Sequence, residues 1–158
     1  MAPMPRARTL LLAVLLLIVL GVGLERLIVT DEERVEQAYA ALVAAVEEER
    51  AGDLAKLLSA ALRYDGPTPV GKGDFDESQE RFAEFFDAAH SIKIIRRGTT
   101  EITVAPGFAT MRMPQIVRFK YGDMFVAYKL DSTLTFDRAG DDWLLSQVDI
   151  TSLAPGIL

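Results

Sequence analysis

The sequence contains no cysteine, one histidine (His90) and one tryptophan (Trp143). The absence of cysteine excludes a disulfide scaffold, a zinc–thiolate cluster, an iron–sulfur site, a thiol nucleophile and a lipoprotein acylation site. A lone histidine is too few for converging metal ligands, and no Ser-His-Asp arrangement is legible around it. His90 follows a helical stretch, where an imidazole suits the negative end of the helix dipole, so a local structural role is expected. Positive charge is also scarce: 17 Lys+Arg against 23 Asp+Glu give a net charge of -6. That balance speaks against nucleic acid as a partner, because its binders carry a basic face. Neither a metal nor a cofactor is expected.

What is present is unevenly spread. The 158 residues, half of them hydrophobic, suit one domain. Arg6 and Arg8 precede the 16-residue uncharged run TLLLAVLLLIVLGVGL, from Thr9 to Leu24. As a helix this run spans roughly 24 Å, short of the ~30 Å hydrocarbon core of a bilayer. Leu27, Ile28 and Val29 extend its apolar character, and tilt or a snorkelling Arg26 closes the gap. Residues 1–30 therefore read as a signal anchor contacting the bilayer through residues 9–29, with the C-terminal domain outside the cytoplasm. A cleaved signal peptide, leaving a secreted or periplasmic protein, is the alternative; its small-residue cleavage pattern rests on Gly21 and Gly23 alone. A buried core helix is disfavoured, since the run has no polar face.

Beyond residue 30 the charge divides. Residues 31–90 hold 6 basic and 15 acidic residues, a net of -9, and residues 91–158 hold 8 and 7, a net of +1. The periodicity changes at the same place. Val35, Ala38, Tyr39, Leu42, Val43 and Val46 lie at three- and four-residue steps, predicting a helix from Asp31 to Arg50. Gly52 is expected to end it, with Glu47, Glu48 and Glu49 a solvated run near its end. Asp53 is expected to cap a short second helix over Leu54 to Leu58 or slightly beyond, and Asp65 to Pro69 to be loop. A third helix is predicted from Asp76 to Ala89, burying Phe82, Phe85, Phe86 and Ala89. Two short strands then flank an Arg97-Gly98 turn. The hairpin Phe108–Lys120/Met124–Phe136 and a last strand, Trp143–Thr151, follow. Pro114 implies an edge or a bulge. The class is α+β: three helices on a curved, mostly antiparallel sheet, over residues 31–158.

The Ala51-Gly52-Asp53-Leu54 corner, the helix–helix–loop–helix–strands order and the closing Gly140-Asp141-Asp142-Trp143 resemble the nuclear transport factor two-like superfamily across residues 31–152. That cone-shaped fold includes ketosteroid isomerase and the SnoaL-like cyclases, and the resemblance implies a cavity between helix and sheet. Isomerase chemistry there needs a carboxylate base, a tyrosine and a protonated carboxylic acid. Asp65 falls near the base, whereas the tyrosine position lands on Ala45 and the acid position on Ser132. Asp131 is adjacent but points to the opposite face. Two of the three roles are vacant, leaving Asp65 and Asp149 as weak catalytic candidates. Tyr39, Tyr64, Tyr128, Gln147 and Asp149 are candidates for lining a ligand pocket, the last two on the strand face shared with Trp143 and Leu145.

Gly66 to Gly73 matches the phosphate-binding pattern G-x-x-x-x-G-K-[ST] except at its last position, where Gly73 replaces the magnesium-binding hydroxyl. Two prolines in this stretch lack the N–H groups that cradle phosphate, which argues against a nucleotide site. Lys93, Arg96 and Arg97 read as a solvated hairpin end. The expectation is thus a membrane-anchored, non-catalytic cone domain binding a small apolar ligand or a protein partner, with a homodimer through the sheet face as an option. A carboxylate-driven isomerase, dehydratase or cyclase is the alternative, and a structural oligomerisation module is the second.

Overall fold

The computed structural model describes residues 29–67 and 70–156, so the run read as an anchor or signal peptide lies almost wholly outside the described residues. Among the described residues no helix is long and apolar enough to cross a membrane. Residues from Asp31 onward form one compact unit. It is built from α1 (Asp31–Glu47), α2 (Ala51–Lys56), β1 (Leu58–Gly66), β2 (Gly71–Asp74), α3 (Phe75–Ala88), β3 (Ala89–Arg96), β4 (Glu101–Ala105), β5 (Phe108–Tyr121), β6 (Met124–Ala139) and β7 (Asp142–Pro155).

The strands make one curved, mixed sheet in the order β2-β1-β7-β6-β5-β3, with β4 on the opposite end of β5 from β3. Every pairing is antiparallel except β1 with β7. β1 and β2 replace the expected end of the second helix and the loop after it. Leu58–Ala61 is a run of good helix formers. Nevertheless the strand it opens pairs with β7, Leu58 beside Leu145 and Arg63–Asp65 beside Gln147–Asp149, because tertiary pairing overrides a weak local preference. β3 and β4 also depart from expectation: they do not pair with each other, and each instead docks on β5.

Pro114 has its own explanation. Arg97 N–H donates to Pro114 O (2.8 Å), so that carbonyl points toward β3 and β4. A residue's N–H points the same way as its C=O in a strand, so the missing donor of Pro114 falls between Arg112, paired to β4, and Gln115, paired to β3. The ladder loses nothing there: Pro114 sits at a local gap on the β3/β4 side of β5, an edge position in effect, and no bulge is needed.

α1 lies on the inner sheet face with Val35, Tyr39, Leu42 and Ala45 buried. They join Met111, Met113, Leu134, Phe136, Trp143 and Leu145 in the core, with Phe86 from α3. Phe82 and Phe85 are only half-buried against it. α1 stops earlier than expected. Glu49 adopts φ +56°, Glu49 N–H bonds Val46 O (3.1 Å) and Arg50 N–H bonds Ala45 O (2.8 Å). This is a Schellman ending, with a glutamate in the left-handed position usually taken by glycine. The carboxylates explain it. Glu49 accepts from Ser91 N–H (3.2 Å), and Glu47 accepts from Ile94 N–H (2.9 Å) and Lys93 Nζ (2.8 Å). The supposedly solvated run therefore clamps β3 where its register on β5 shifts, between His90 and Lys93. His90, on that strand rather than at the end of α3, places Nδ1 3.2 Å from Glu49.

Gly66 and Gly73, the two ends of the phosphate-loop pattern, lie in the β1–β2 ladder, paired with Gly71 and Tyr64, and the N-terminus of α3 is occupied by Asp74, whose carboxylate accepts from Glu77 N–H (3.2 Å). A Cβ at Gly73 would fall on the Tyr64 hydroxyl and the Glu77 carboxylate. Gly73→Ser restores the fingerprint's hydroxyl, yet equilibrium dialysis with ATP is expected to show no binding; measurable binding would contradict this geometry.

Candidate functional site

Beneath α1, three side chains from three elements form a polar chain. The Tyr39 hydroxyl donates to Gln115 Oε1 (3.1 Å), and Gln115 Nε2 donates to Ser132 Oγ (2.9 Å). Tyr39 and Ser132 are buried. Register sets the meeting: Gln115 on β5 pairs with Leu130, two residues from Ser132 on the same face of β6. The Arg96 guanidinium lies 4.8 Å from the Tyr39 ring centroid and is held by Glu36 (2.8 Å). Burial raises the Tyr39 pKa above its ordinary value; the Arg96 charge opposes this, while Glu36 and Glu47 add to it. The phenol stays protonated and acts as a donor. Tyr39→Phe leaves Gln115 Oε1 without its donor and is expected to cost about 1 kcal/mol of stability in denaturant unfolding. No loss at all would show that the chain of bonds is not maintained.

The carboxylate candidates lie elsewhere. Asp65 is on β1, half exposed, and ion-paired to Lys72 Nζ (2.8 Å). That hydrogen bond and the charge of Asp65 raise the Lys72 pKa. Strict alternation puts Asp149 on the strand face of Trp143 and Leu145, a pocket candidate for which solvent exposure is the favoured expectation. A register shift on β7 intervenes: Leu145 pairs with Phe136 but Gln147 with Thr135, leaving Ser146 as an extra residue. One inserted residue reverses the faces beyond it. Val148 and Ile150 consequently turn inward, opposite Leu134 and Ser132, while Gln147 and Asp149 turn outward and bond each other (2.7 Å). Asp65 and Asp149 are paired neighbours across β1 and β7, on the outer face. The interior position expected to hold an acid is Ser132, and that expected to hold a tyrosine is Ala45, both buried.

The remaining aromatic candidates belong to packing clusters. The Tyr128 ring stacks on Phe119 (6.3 Å between centroids), which meets Phe85 edge-on (5.1 Å). Tyr64 leans on Arg81 (5.5 Å) and its hydroxyl donates to Glu77 (3.4 Å). Its pKa is raised by burial, against the Arg81 charge and with help from Glu77. Of the five predicted lining residues, only Tyr39 joins the polar chain. Among the described residues no group of three or more His, Cys, Asp or Glu side chains is arranged to hold a metal ion.

An open concavity of about 610 Å³ lies on the other side of the sheet. Its rows are read directly from the register: Pro114 beside Asp131 and Ser152, and Ile116 beside Lys129 and Ala154. Arg118 and Arg97 complete the rim. Ile116 is 8% exposed although it faces away from the core. The Arg118 Nε–H is buried and has no acceptor, as is the Trp143 indole N–H on the core side. Sequence reading missed this site, although the hairpin register around Tyr121-Gly122-Asp123 would have set Ile116 against Lys129.

No protein-family model matches the chain, and no curated protein matches it in sequence. Solved structures do resemble it. A conserved protein from Planctomyces limnophilus superposes with a TM-score of 0.71 at 14% identity, over 80% of this chain and 98% of that chain. An NTF2-like family protein from Streptomyces avermitilis, assigned as a dehydratase, gives a TM-score of 0.67 at 17% identity, over 81% and 97% of the two chains. The type 3 hexachlorocyclohexane dehydrochlorinase LinA from Novosphingobium barchaimii gives 0.65 at 13%, over 85% and 94%. Likeness at this level of identity speaks to architecture alone: the chain has the nuclear transport factor two-like α+β fold.

Proposed function

We propose that residues 31–158 are a non-catalytic binding domain, held at a membrane by residues 9–29, that takes a small, partly apolar ligand in the concavity of the outer sheet face. One observation carries the non-catalytic reading. Isomerase chemistry of the ketosteroid isomerase type needs a carboxylate base, a tyrosine and a protonated acid; here the tyrosine and acid places hold the Ala45 methyl and the Ser132 hydroxyl, while the carboxylate candidates Asp65 and Asp149 face outward. Bulky side chains pack the core, and Pro114, Ile116 and Ala154 line the floor of the open concavity. Ligand sites combine such a floor with a few polar groups.

Filling the floor tests the site. Ile116→Trp is expected to abolish binding of small aromatic ligands, followed as loss of ligand-induced thermal stabilisation; unchanged stabilisation would place the ligand elsewhere. N-terminal sequencing of the native protein tests the anchor, since a start beyond Gly23 defeats it. An enzyme is the second reading, favoured by structural neighbours that include a dehydrochlorinase and a protein assigned as a dehydratase. It requires turnover that is lost on Asp65→Asn or Asp149→Asn.

A further inference from the structure

We infer that the outer concavity is an anion site, taking a small organic carboxylate or phosphate whose apolar body lies over Ile116 and whose anionic group meets Arg118. The inference rests on the ligand reading above and adds the ligand's charge. Three cationic side chains, Arg97, Arg118 and Lys129, surround a floor of Pro114, Ile116 and Ala154, with Asp131 the one carboxylate at the rim. Most other cations find acids, among them Arg96 bound to Glu36, Lys93 to Glu47, Arg138 to Asp31 and Lys72 to Asp65, while Arg63, Arg81 and Arg112 stand singly, without the clustering of the three at the concavity. Arg97, Arg118 and Lys129 make no ion pair with any described residue, and Asp131 lies beyond ion-pair distance of all three.

Arg118 supplies the sharpest signal. A buried guanidinium N–H without an acceptor costs free energy that folded proteins rarely leave uncompensated. Arg118 lines a concavity that opens to solvent, so an oxyanion entering it comes within reach of the guanidinium. Guanidinium geometry suits carboxylate and phosphate equally, since both present two oxygens to its fork. The single-residue separation of Ile116 and Arg118 on one strand face puts the apolar floor beside the charged group, so a ligand with both features satisfies both.

The test uses the full chain in lipid nanodiscs with 4-fluorobenzoate and 4-fluorobenzyl alcohol as probes, followed by fluorine NMR line broadening, and with phenyl phosphate as competitor. Identical nanodiscs carrying Arg118→Gln or Lys129→Gln cancel partitioning into lipid, and thermal melting establishes that each variant is folded. The benzoate is expected to bind at least tenfold more tightly than the alcohol, and to weaken roughly tenfold with Arg118→Gln. Exposed Lys129 gives a smaller loss on Lys129→Gln, which keeps the proposal testable if Arg118→Gln does not fold. Arg63→Gln, an exposed cation outside the concavity, is expected to change nothing. Displacement by phenyl phosphate assigns the site to anions in general; benzoate resistant to it narrows the class to carboxylates. Equal binding of acid and alcohol, unaffected by either variant, overturns the anion site and leaves the ligand reading intact. Binding of none of the probes overturns both.

Discussion

Phe136→Ala is expected to lower the unfolding free energy by roughly 3–5 kcal/mol, the usual cost of deleting a buried aromatic ring. Phe136 is 0% exposed and lies where two parts of the fold are joined. It pairs with Ala109 on β5 and Leu145 on β7, and the register shift between Thr135 and Phe136 sits beside it. Small neighbours such as Ala109 cannot collapse into the space, so most of the cavity persists. Domains of this size are stable by about 5–15 kcal/mol, so the variant approaches the threshold of folding. Urea unfolding followed by Trp143 fluorescence measures it. A change below about 1 kcal/mol would mean that the core around the β6–β7 bulge is loosely packed, against its burial.

Glu47→Gln has the second largest expected effect and a pH signature. The carboxylate accepts from both Lys93 Nζ and Ile94 N–H, and its side chain is 20% exposed. Burial by itself raises the pKa, but the Lys93 hydrogen bond, the Ile94 N–H and the Lys93 charge together outweigh it and hold the group below its ordinary value. A carboxyl whose folded pKa is depressed adds stability above its unfolded pKa and loses it as pH falls through the folded one. The variant is therefore expected to be less stable than the parent by about 1.5–3 kcal/mol at neutral pH. The gap should narrow once pH falls below the ordinary value of 4.5 and close below the folded one. A gap independent of pH would assign the loss to packing rather than charge.

The helical layer and the long hairpin were legible because their signals are local and periodic. Val35, Tyr39 and Leu42 mark α1, and Tyr121-Gly122-Asp123 separates β5 from β6 at nearly the expected residues. What escaped depends on partners distant in sequence. β1 is strand because β7 pairs with it, whereas its Leu and Ala content suits a helix. Ser146 carries no bulge signature, yet its insertion sends Gln147 and Asp149 outward and Val148 inward. The fate of Glu47 and Glu49 is set by unpaired N–H groups on β3, which no helical pattern reveals. Arg97 was read as one member of a solvated trio. Two of the trio are claimed by α1 carboxylates, and Arg97 alone remains to meet Arg118 and Lys129 around the concavity.

Ser132 and Ala45 are legible in the sequence as the residues that fall at the acid and tyrosine positions of the isomerase pattern, and both are buried, Ser132 on β6 and Ala45 on the packed face of α1. The sheet's two faces differ accordingly: the inner face carries the Tyr39–Gln115–Ser132 chain, and the outer face carries the open concavity.

Photoaffinity labelling with 4-benzoylbenzoate, mapped by mass spectrometry of the full chain, tests which face takes the ligand. Labelling at Ile116, Lys129 and Ala154, suppressed by excess 4-fluorobenzoate, is the predicted result. Saturable labelling of Tyr39, Met113 or Ser132 would contradict it, because the ligand would then occupy the interior of the cone.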